Sequence, residues 1–273
     1  MGRNLRRHAA LSVLSLGPDM DLHMDLPAND HEIAATLATR AGQLLLGVRE
    51  EFADADPAER KKQGDRRSHE FLMDQLDRAR PEDAVLSEEG ADNPVRLTAN
   101  RVWIVDPLDG TREFSELDRV DWAVHVALWE DGDLVAGAVA LPAQDLTLHT
   151  PQVELAPPVG GSPRLVVSRT RPPDLVGALA KTLDGRLVPM GSAGAKVMAI
   201  VLGEADAYVH GGGQYEWDSA APVAVARAAG LHASRLDGSP LRYNCENPLL
   251  PDLVVCRPEL ADELLAAIAS VSP

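Results

Sequence analysis

The chain reads as an α+β half followed by an α/β half, and three observations predict this. Helical spacing of apolar residues gives way to strand-like alternation near residue 84. A stretch rich in Pro and Gly, residues 151–163, then interrupts the pattern. Beyond it, short apolar runs alternate with helical segments, the order expected of α/β organisation. The expected division is 1–28 as a disordered N-terminal extension, 29–150 as the first half and 151–273 as the second.

The elements follow in order. His31–Glu51 places Ile33, Leu37, Leu44, Leu45 and Val48 at helical spacing and predicts a first helix. Phe52–Gly64 is polar, contains Pro57 and Lys61-Lys62, and reads as a loop. Ser68–Arg80, with Phe71, Leu72 and Leu76, predicts a second helix stopped by Pro81. Ala84–Leu86 is a short strand running into Ser87-Glu88-Glu89-Gly90, and Val102–Val105 is a second strand ending at Asp106. Trp122–Trp129, Leu134–Leu141 and Leu146–His149 form a meander, with Asp131-Gly132 as a hairpin turn.

In the second half, strands are expected at Leu165–Val167, Leu187–Met190, Ala207–Val209 and Leu253–Cys256. Helices are expected at Leu175–Leu183, Ala193–Leu202, Ser219–Ala229 and Pro258–Ser270.

Composition narrows the function classes. Of 273 residues, 45% are hydrophobic but only 4% aromatic, so aliphatic and alanine packing must build the core. The net charge of −16 argues against a nucleic-acid polymer or an anionic membrane as partner. It leaves open a small phosphate ligand held through metal ions. No apolar run reaches the ~18 residues of a spanning helix. Cys245 and Cys256 lack zinc-ligand spacing and read as structural thiols in a reducing cytoplasm. The basic, weakly apolar start resembles a short signal core at Ala9–Leu16, but no small-x-small cleavage site follows. An extension or an upstream start codon is the expectation, with Met20 and Met24 as alternative starts.

The chemistry concentrates in Val102–Thr111, VWIVDPLDGT. Pro107 removes a ladder donor and Gly110 permits a tight turn, so the chain bends there. Asp106 and Asp109 then project into the same space and repel each other unless a cation lies between them. Alone, the pair is equally readable as a turn whose aspartates cap local amides. Three more acidic stretches fall at element ends: Glu88-Glu89, Glu216-Trp217-Asp218 and Asp65 at the start of the second helix. Each has a bland alternative, solvation or helix capping. Together they suggest hard divalent cations with oxygen ligands. For an anion, Gly110-Thr111 offers turn amides and a hydroxyl, and Gly191-Ser192-Ala193 opens a helix with Lys196 one turn later.

With those residues in view, WIVDPLDGT, the upstream SEE and the downstream WDSAA resemble, in that order, the magnesium-dependent, lithium-sensitive phosphatases of the inositol monophosphatase superfamily. DPLDGTREF, SRTRP at Ser168–Pro172 and GSAGAK look most like its CysQ-type 3'(2'),5'-bisphosphate nucleotidases. The resemblance runs from about His31 to the C-terminus.

It implies a layered αβαβα sandwich with the site between the halves, and two or three Mg²⁺ ions. It implies a small phosphorylated substrate: adenosine 3',5'-bisphosphate, hydrolysed to AMP, and its sulfated form, in cytoplasmic sulfur assimilation. The implied step is in-line attack by a metal-held water, with no phosphoenzyme and no cysteine nucleophile. A homodimer is expected by analogy only.

Carried over residue by residue, Glu88 resembles a ligand of a first metal and Asp106 a bridging ligand. The carbonyl of Leu108 resembles another first-metal ligand, and Asp109 and Asp218 resemble second-metal ligands. Thr111 resembles the hydroxyl that orients the attacking water, and Asp65 its acidic partner. Gly110, Thr111, Gly191 and Ser192 would surround phosphate. Ser168, Arg169, Lys196 and Glu216 are candidates for the rest of the substrate, while Arg171 reads better as a surface charge. One departure stands out. Lys62-Gln63-Gly64-Asp65 occupies the place of the family's Thr-x-Ala-Asp, which loosens the assignment of Asp65.

The carboxylates do not separate this reading from hydrolysis of inositol 1-phosphate or fructose 1,6-bisphosphate, because they handle phosphate rather than the leaving group. A non-catalytic nucleotide sensor is the alternative from another class. It would have lost a metal ligand or the threonine, and both are present.

Overall fold

The computed structural model describes residues 27–271 apart from Arg171. The expected extension lies outside the described residues except for Pro27 and Ala28, and Arg171 lies outside them too.

Helices α1 (Asp30–Glu51) and α2 (Pro57–Ala79) cover one face of a five-stranded sheet. Its strands β1 (Ala84–Ser87), β2 (Arg101–Asp109), β3 (Ala123–Glu130), β4 (Asp133–Leu141) and β5 (Leu146–His149) lie in chain order. β1 is parallel to β2, and the rest of the sheet is antiparallel. A short helix α3 (Thr111–Ser115) follows β2.

The second sheet has β6 (Arg164–Ser168), β7 (Arg186–Met190) and β8 (Ala207–His210) running parallel. Beyond a two-residue strand β9 (Gln214–Tyr215), β10 (His232–Ser234) and β12 (Leu253–Cys256) complete it in the order β10-β12-β8-β6-β7. β11 (Leu249–Leu250) pairs with β9 in a small ribbon. Helices α5 (Ala193–Val201) and α6 (Glu216–Ala228) lie between the sheets, α6 against β2, β3 and β4 and α5 against β8. Helices α4 (Asp174–Thr182) and α7 (Ala261–Val271) pack on each other at the outer face of the second sheet. The result is five layers, α1/α2, sheet, α5/α6, sheet, α4/α7, the sandwich that the motifs implied.

Strand alternation explains the layering. In β2, Val102 and Ile104 point into the central core with α5 and α6, while Trp103 and Val105 point into the core under α1 and α2. A strand buried on both faces reads as a continuous apolar run, as VWIV does. A third core joins β6, β8 and β12 to α4 and α7.

The structure corrects several boundaries. The expected loop Phe52–Gly64 is mostly helix: α2 begins at Pro57, capped by Asp56, whose Oδ1 accepts the N–H of Ala58 at 2.7 Å. The Asp-Pro pair was the start signal. Asp65 therefore lies in the second turn or beyond, not at the helix start, and its neighbour Gly64 is buried against Leu108 and Phe114. β2 does not end at Asp106; it continues to Asp109 through a bulge between those two residues. α6 begins at Glu216, so Asp218 is not the N-cap residue; it sits in the first turn and caps from there by accepting the Tyr215 N–H. The short strands β9, β10 and β11 and the 3₁₀ turn Pro94–Thr98 were not legible as period-two runs.

The contact between β4 and α6 needs a residue without a side chain. A Cβ on Gly137 would stand 2.6 Å from the Ala224 Cβ and 3.2 Å from the Ala221 carbonyl oxygen. Gly137→Ala should therefore lower the unfolding free energy by about 1–3 kcal/mol, the usual range for overpacking. Denaturant titration reads this directly; an unchanged midpoint would mean that the two layers pack less tightly than drawn.

Candidate active site

The site grows out of the bulge in β2. Pro107 supplies no ladder donor, and the Asp106 side chain closes the bend by accepting the Leu108 N–H at Oδ1, 3.0 Å. Gly110 then takes φ +83°, and a Cβ there would crowd Ser192 Cβ at 3.1 Å and the Asp121 carbonyl at 3.3 Å. α3 starts at once, and two arginines pin its exit. Arg49 of α1 donates to the carbonyls of Glu116 and Arg119 and lies over the rings of Phe114 and Trp122. Arg60 of α2 donates to the carbonyl of Ser115 and to those of Phe52, Ala53 and Ala55. Both are buried, so the first layer fixes the loop from below.

Asp106, Asp109 and Asp218 each bring a carboxylate oxygen into one cluster, all within 4.8 Å of one another. β2 delivers the first two, and the first turn of α6 delivers the third. Oδ2 of Asp218 accepts the Tyr215 N–H at 2.6 Å. Glu88, the residue after β1, lies close enough to Asp106 for each to shift the other's titration. Burial, then Glu88, Asp109 and Asp218, pushes Asp106 well above the usual carboxylate range. Burial and the neighbouring carboxylates also raise Glu88 and Asp218. Asp109 goes the other way. Burial would raise it, but His125, Ser192 and the Gly194 amide together hold it below its ordinary value.

Three carboxylates converging in buried space, with one forced toward its protonated form, is a donor set suited to a hard divalent cation. A cation there would relieve the repulsion that raises Asp106. Asp106, Asp109 and Asp218 fit such an ion as side-chain donors.

The other expected residues divide. Thr111 opens α3, and its hydroxyl donates toward the Leu108 carbonyl at 3.4 Å and not to Asp65. Asp65 is half-buried and pushed up to about 7 by burial and by Glu89. Gly191 and Ser192 follow β7, but their best donors are already engaged. The Gly191 N–H donates to Asp121 at 2.5 Å and the Ser192 hydroxyl to Asp109 at 2.5 Å. Ser192 itself holds φ +49°, a conformation that non-glycine residues rarely adopt. Ser168 ends β6, on the same edge of the parallel strands as Gly191, where α/β sheets carry their sites.

Arg169 donates to Glu113 and Glu116 at 2.8 and 2.9 Å. Lys196 is buried; its ammonium donates to the Ser192 carbonyl at 2.8 Å and lies 5.2 Å from the Tyr208 ring centre. Glu216 is buried too, and its two oxygens accept the N–H groups of Asn244 and Cys245 at 2.6 and 2.8 Å. The expectation for Glu216 was a substrate contact; the structure gives it the work of anchoring that loop. Arg96 completes the anchor by donating to Asn244 Oδ1 and the Cys245 carbonyl.

Sequence reasoning missed His125, Asp121, Glu113 and the two arginines. His125 had one signal, a titratable residue in the apolar run Val124–Val126. The others had none, because the partners that tie them to the site lie more than fifty residues away.

The raised carboxylates predict a pH response. In the absence of metal, Asp65, Glu88, Asp106 and Asp218 keep protons that the unfolded chain has already released. Stability should therefore fall as pH rises from about 4.5 to about 7.5. Asp109, which is lowered, acts only at more acidic pH. A divalent cation should remove the loss. Thermal midpoints across that range, with and without cation, check this; a flat metal-free profile would show that the carboxylates are not pressed together.

Comparison with known proteins came down on one family. Residues 28–272 match the inositol monophosphatase family. The chain is 52% identical over 255 residues to the 3'-phosphoadenosine 5'-phosphate phosphatase of Mycobacterium leprae, covering 89% of this chain and 94% of that one. It is 32% identical over 191 residues to the 3'(2'),5'-bisphosphate nucleotidase CysQ of Escherichia coli K12, covering 64% and 76%. Among solved structures, Mycobacterium tuberculosis SuhB superposes with a TM-score of 0.70 at 24% identity, over 90% of this chain and 98% of that one. The chain belongs to the inositol monophosphatase family.

Proposed function

We propose that the chain is a Mg²⁺-dependent 3'(2'),5'-bisphosphate nucleotidase that releases the 3'-phosphate of adenosine 3',5'-bisphosphate. The observation that carries this is the likeness to the M. leprae phosphatase along nearly the whole chain, beside the cluster of Asp106, Asp109 and Asp218. The sulfated nucleotide is a second substrate on this reading, and sulfur assimilation in the cytoplasm is its setting. No helix among the described residues is long and apolar enough to cross a membrane.

Bound divalent cations would supply charge neutralisation at the phosphate and a more acidic water. The protein's own groups do the rest. Glu88, Asp106, Asp109, Asp218 and the Leu108 carbonyl hold the cations. Thr111, fixed by its bond to that carbonyl, keeps hydroxyl lone pairs to orient the attacking water, with Asp65 as the acid-base partner within reach of neutral pH. Gly110 lets the backbone come close to phosphate. Ser168, Arg169 and Lys196 stand at the second half's edge of the cleft. Glu113 and Glu116 orient the Arg169 guanidinium for the second phosphate. The halves at 29–150 and 151–273 are two walls of one cleft on this reading.

Phosphate release from a panel tests the substrate. Adenosine 3',5'-bisphosphate should exceed inositol 1-phosphate and fructose 1,6-bisphosphate in kcat/KM by about tenfold or more, the worth of one charge-assisted contact. Lithium should inhibit the reaction. Preference for inositol 1-phosphate would overturn the nucleotidase reading while leaving the phosphatase intact.

Thr111→Ala should lower kcat more than it raises KM, because orienting water matters chiefly in the transition state. If only KM moves, Thr111 is a phosphate contact.

A further inference from the structure

All the hydrogen-bond donors that the described residues bring to Asp109 fall on one of its oxygens, Oδ2. Ser192 Oγ donates at 2.5 Å and the Gly194 N–H at 2.7 Å, both from the start of α5. Nε2 of His125, from β3, lies 3.2 Å from the same oxygen as an ion-pair contact without the alignment of a hydrogen bond. His125 stands opposite Asp106 in the β2–β3 ladder and is fully buried. Its other ring nitrogen, Nδ1, lies 3.1 Å from the carbonyl oxygen of Trp217, the residue before Asp218. One ring therefore touches the supports of two of the three clustered carboxylates. Gly194 closes over that ring. A Cβ at Gly194 would sit 2.1 Å from Nε2 and 3.0 Å from Cδ2 and Cε1.

We propose that His125 is a positioning residue for the cation site. It holds Oδ2 of Asp109 against α5, which leaves Oδ1 for the ion. Through the Trp217 carbonyl it also fixes the first turn of α6, so that Asp218 meets the same point. Gly194 is the space that this ring requires. The proposal rests on the reading of Asp106, Asp109 and Asp218 as a cation site.

A histidine that served packing alone would change stability and leave cation affinity untouched. Mn²⁺ binding to the full chain without substrate, followed by electron paramagnetic resonance, separates the two. His125→Leu keeps the volume and removes both polar contacts; its Mn²⁺ affinity should fall about tenfold or more, the usual cost of losing a group that orients a metal ligand. His125→Ala should behave alike. Gly194→Ala should also weaken binding in the parent chain, where the methyl displaces the ring, and should add little in the His125→Ala background. Circular dichroism identifies the variants that fold, and any one of the three that does so carries the test. A folded His125 variant that binds Mn²⁺ within about twofold of the parent overturns the proposal. So does a Gly194→Ala effect of equal size with and without the histidine. A parent chain that binds no Mn²⁺ overturns the cation reading, and this proposal with it.

Discussion

Like charges forced together in buried space are the constraint on which this molecule is built. Asp106, Asp109 and Asp218 come from two elements more than a hundred residues apart, yet their oxygens share one small volume. Such a cluster does not assemble by attraction. Other groups must hold each carboxylate in place against the repulsion, and every layer around the site contributes. β2 presents two of them across a bulge, α6 the third, and α1 and α2 brace the intervening turn through Arg49 and Arg60. Ser192 takes a strained backbone conformation to put its hydroxyl on Asp109. The strain is at home in a site that a bound ion would stabilise.

The same constraint explains the position of α6. Its first turn must face the bulge of β2, so a helix from the second half packs on the sheet of the first. Close approach then follows, with Gly137 beneath Ala224. Glu216 and Arg96 hold the loop at 244–246 against the same helix end. The carboxylate cluster is thus set by two helix starts, α5 and α6, that meet one bulge.

The parts legible in the sequence were those whose cause is local. VWIVDPLDGT announces a buried strand, a lost ladder donor and a glycine turn within ten residues. The layered fold followed from that motif, with SEE and WDSAA as its partners in a family resemblance, and so did the clustering of Asp106, Asp109 and Asp218. Three kinds of feature escaped. The start of α2 was missed because polar residues and lysines outweighed the Asp56-Pro57 signal. Strands of two or three residues carry too little periodicity to read. Long-range bonds leave no local trace: Glu216 and Lys196 read as candidate substrate contacts, and the fold buries both on backbone partners. A charged residue in a motif says that it has a partner, not which one.

On the nucleotidase reading, a chain of net charge −16 that binds a substrate with two phosphates must gather positive charge at one place. The carboxylate cluster would do this indirectly, by attracting divalent cations that more than offset it. Lysines at the surface would not suffice, because exposed charges are screened within about a nanometre of salt solution. Lys196 and Arg169 are each held by protein groups, Lys196 by the Ser192 carbonyl and Tyr208, Arg169 by Glu113 and Glu116. Held cations contribute direction rather than raw charge: a guanidinium oriented by two carboxylates presents its remaining N–H groups in a fixed plane. Attraction for phosphate then resides in the cations that the cluster binds, and discrimination among phosphates in the orientation of residues around it. Family members can therefore share the carboxylates and differ in substrate.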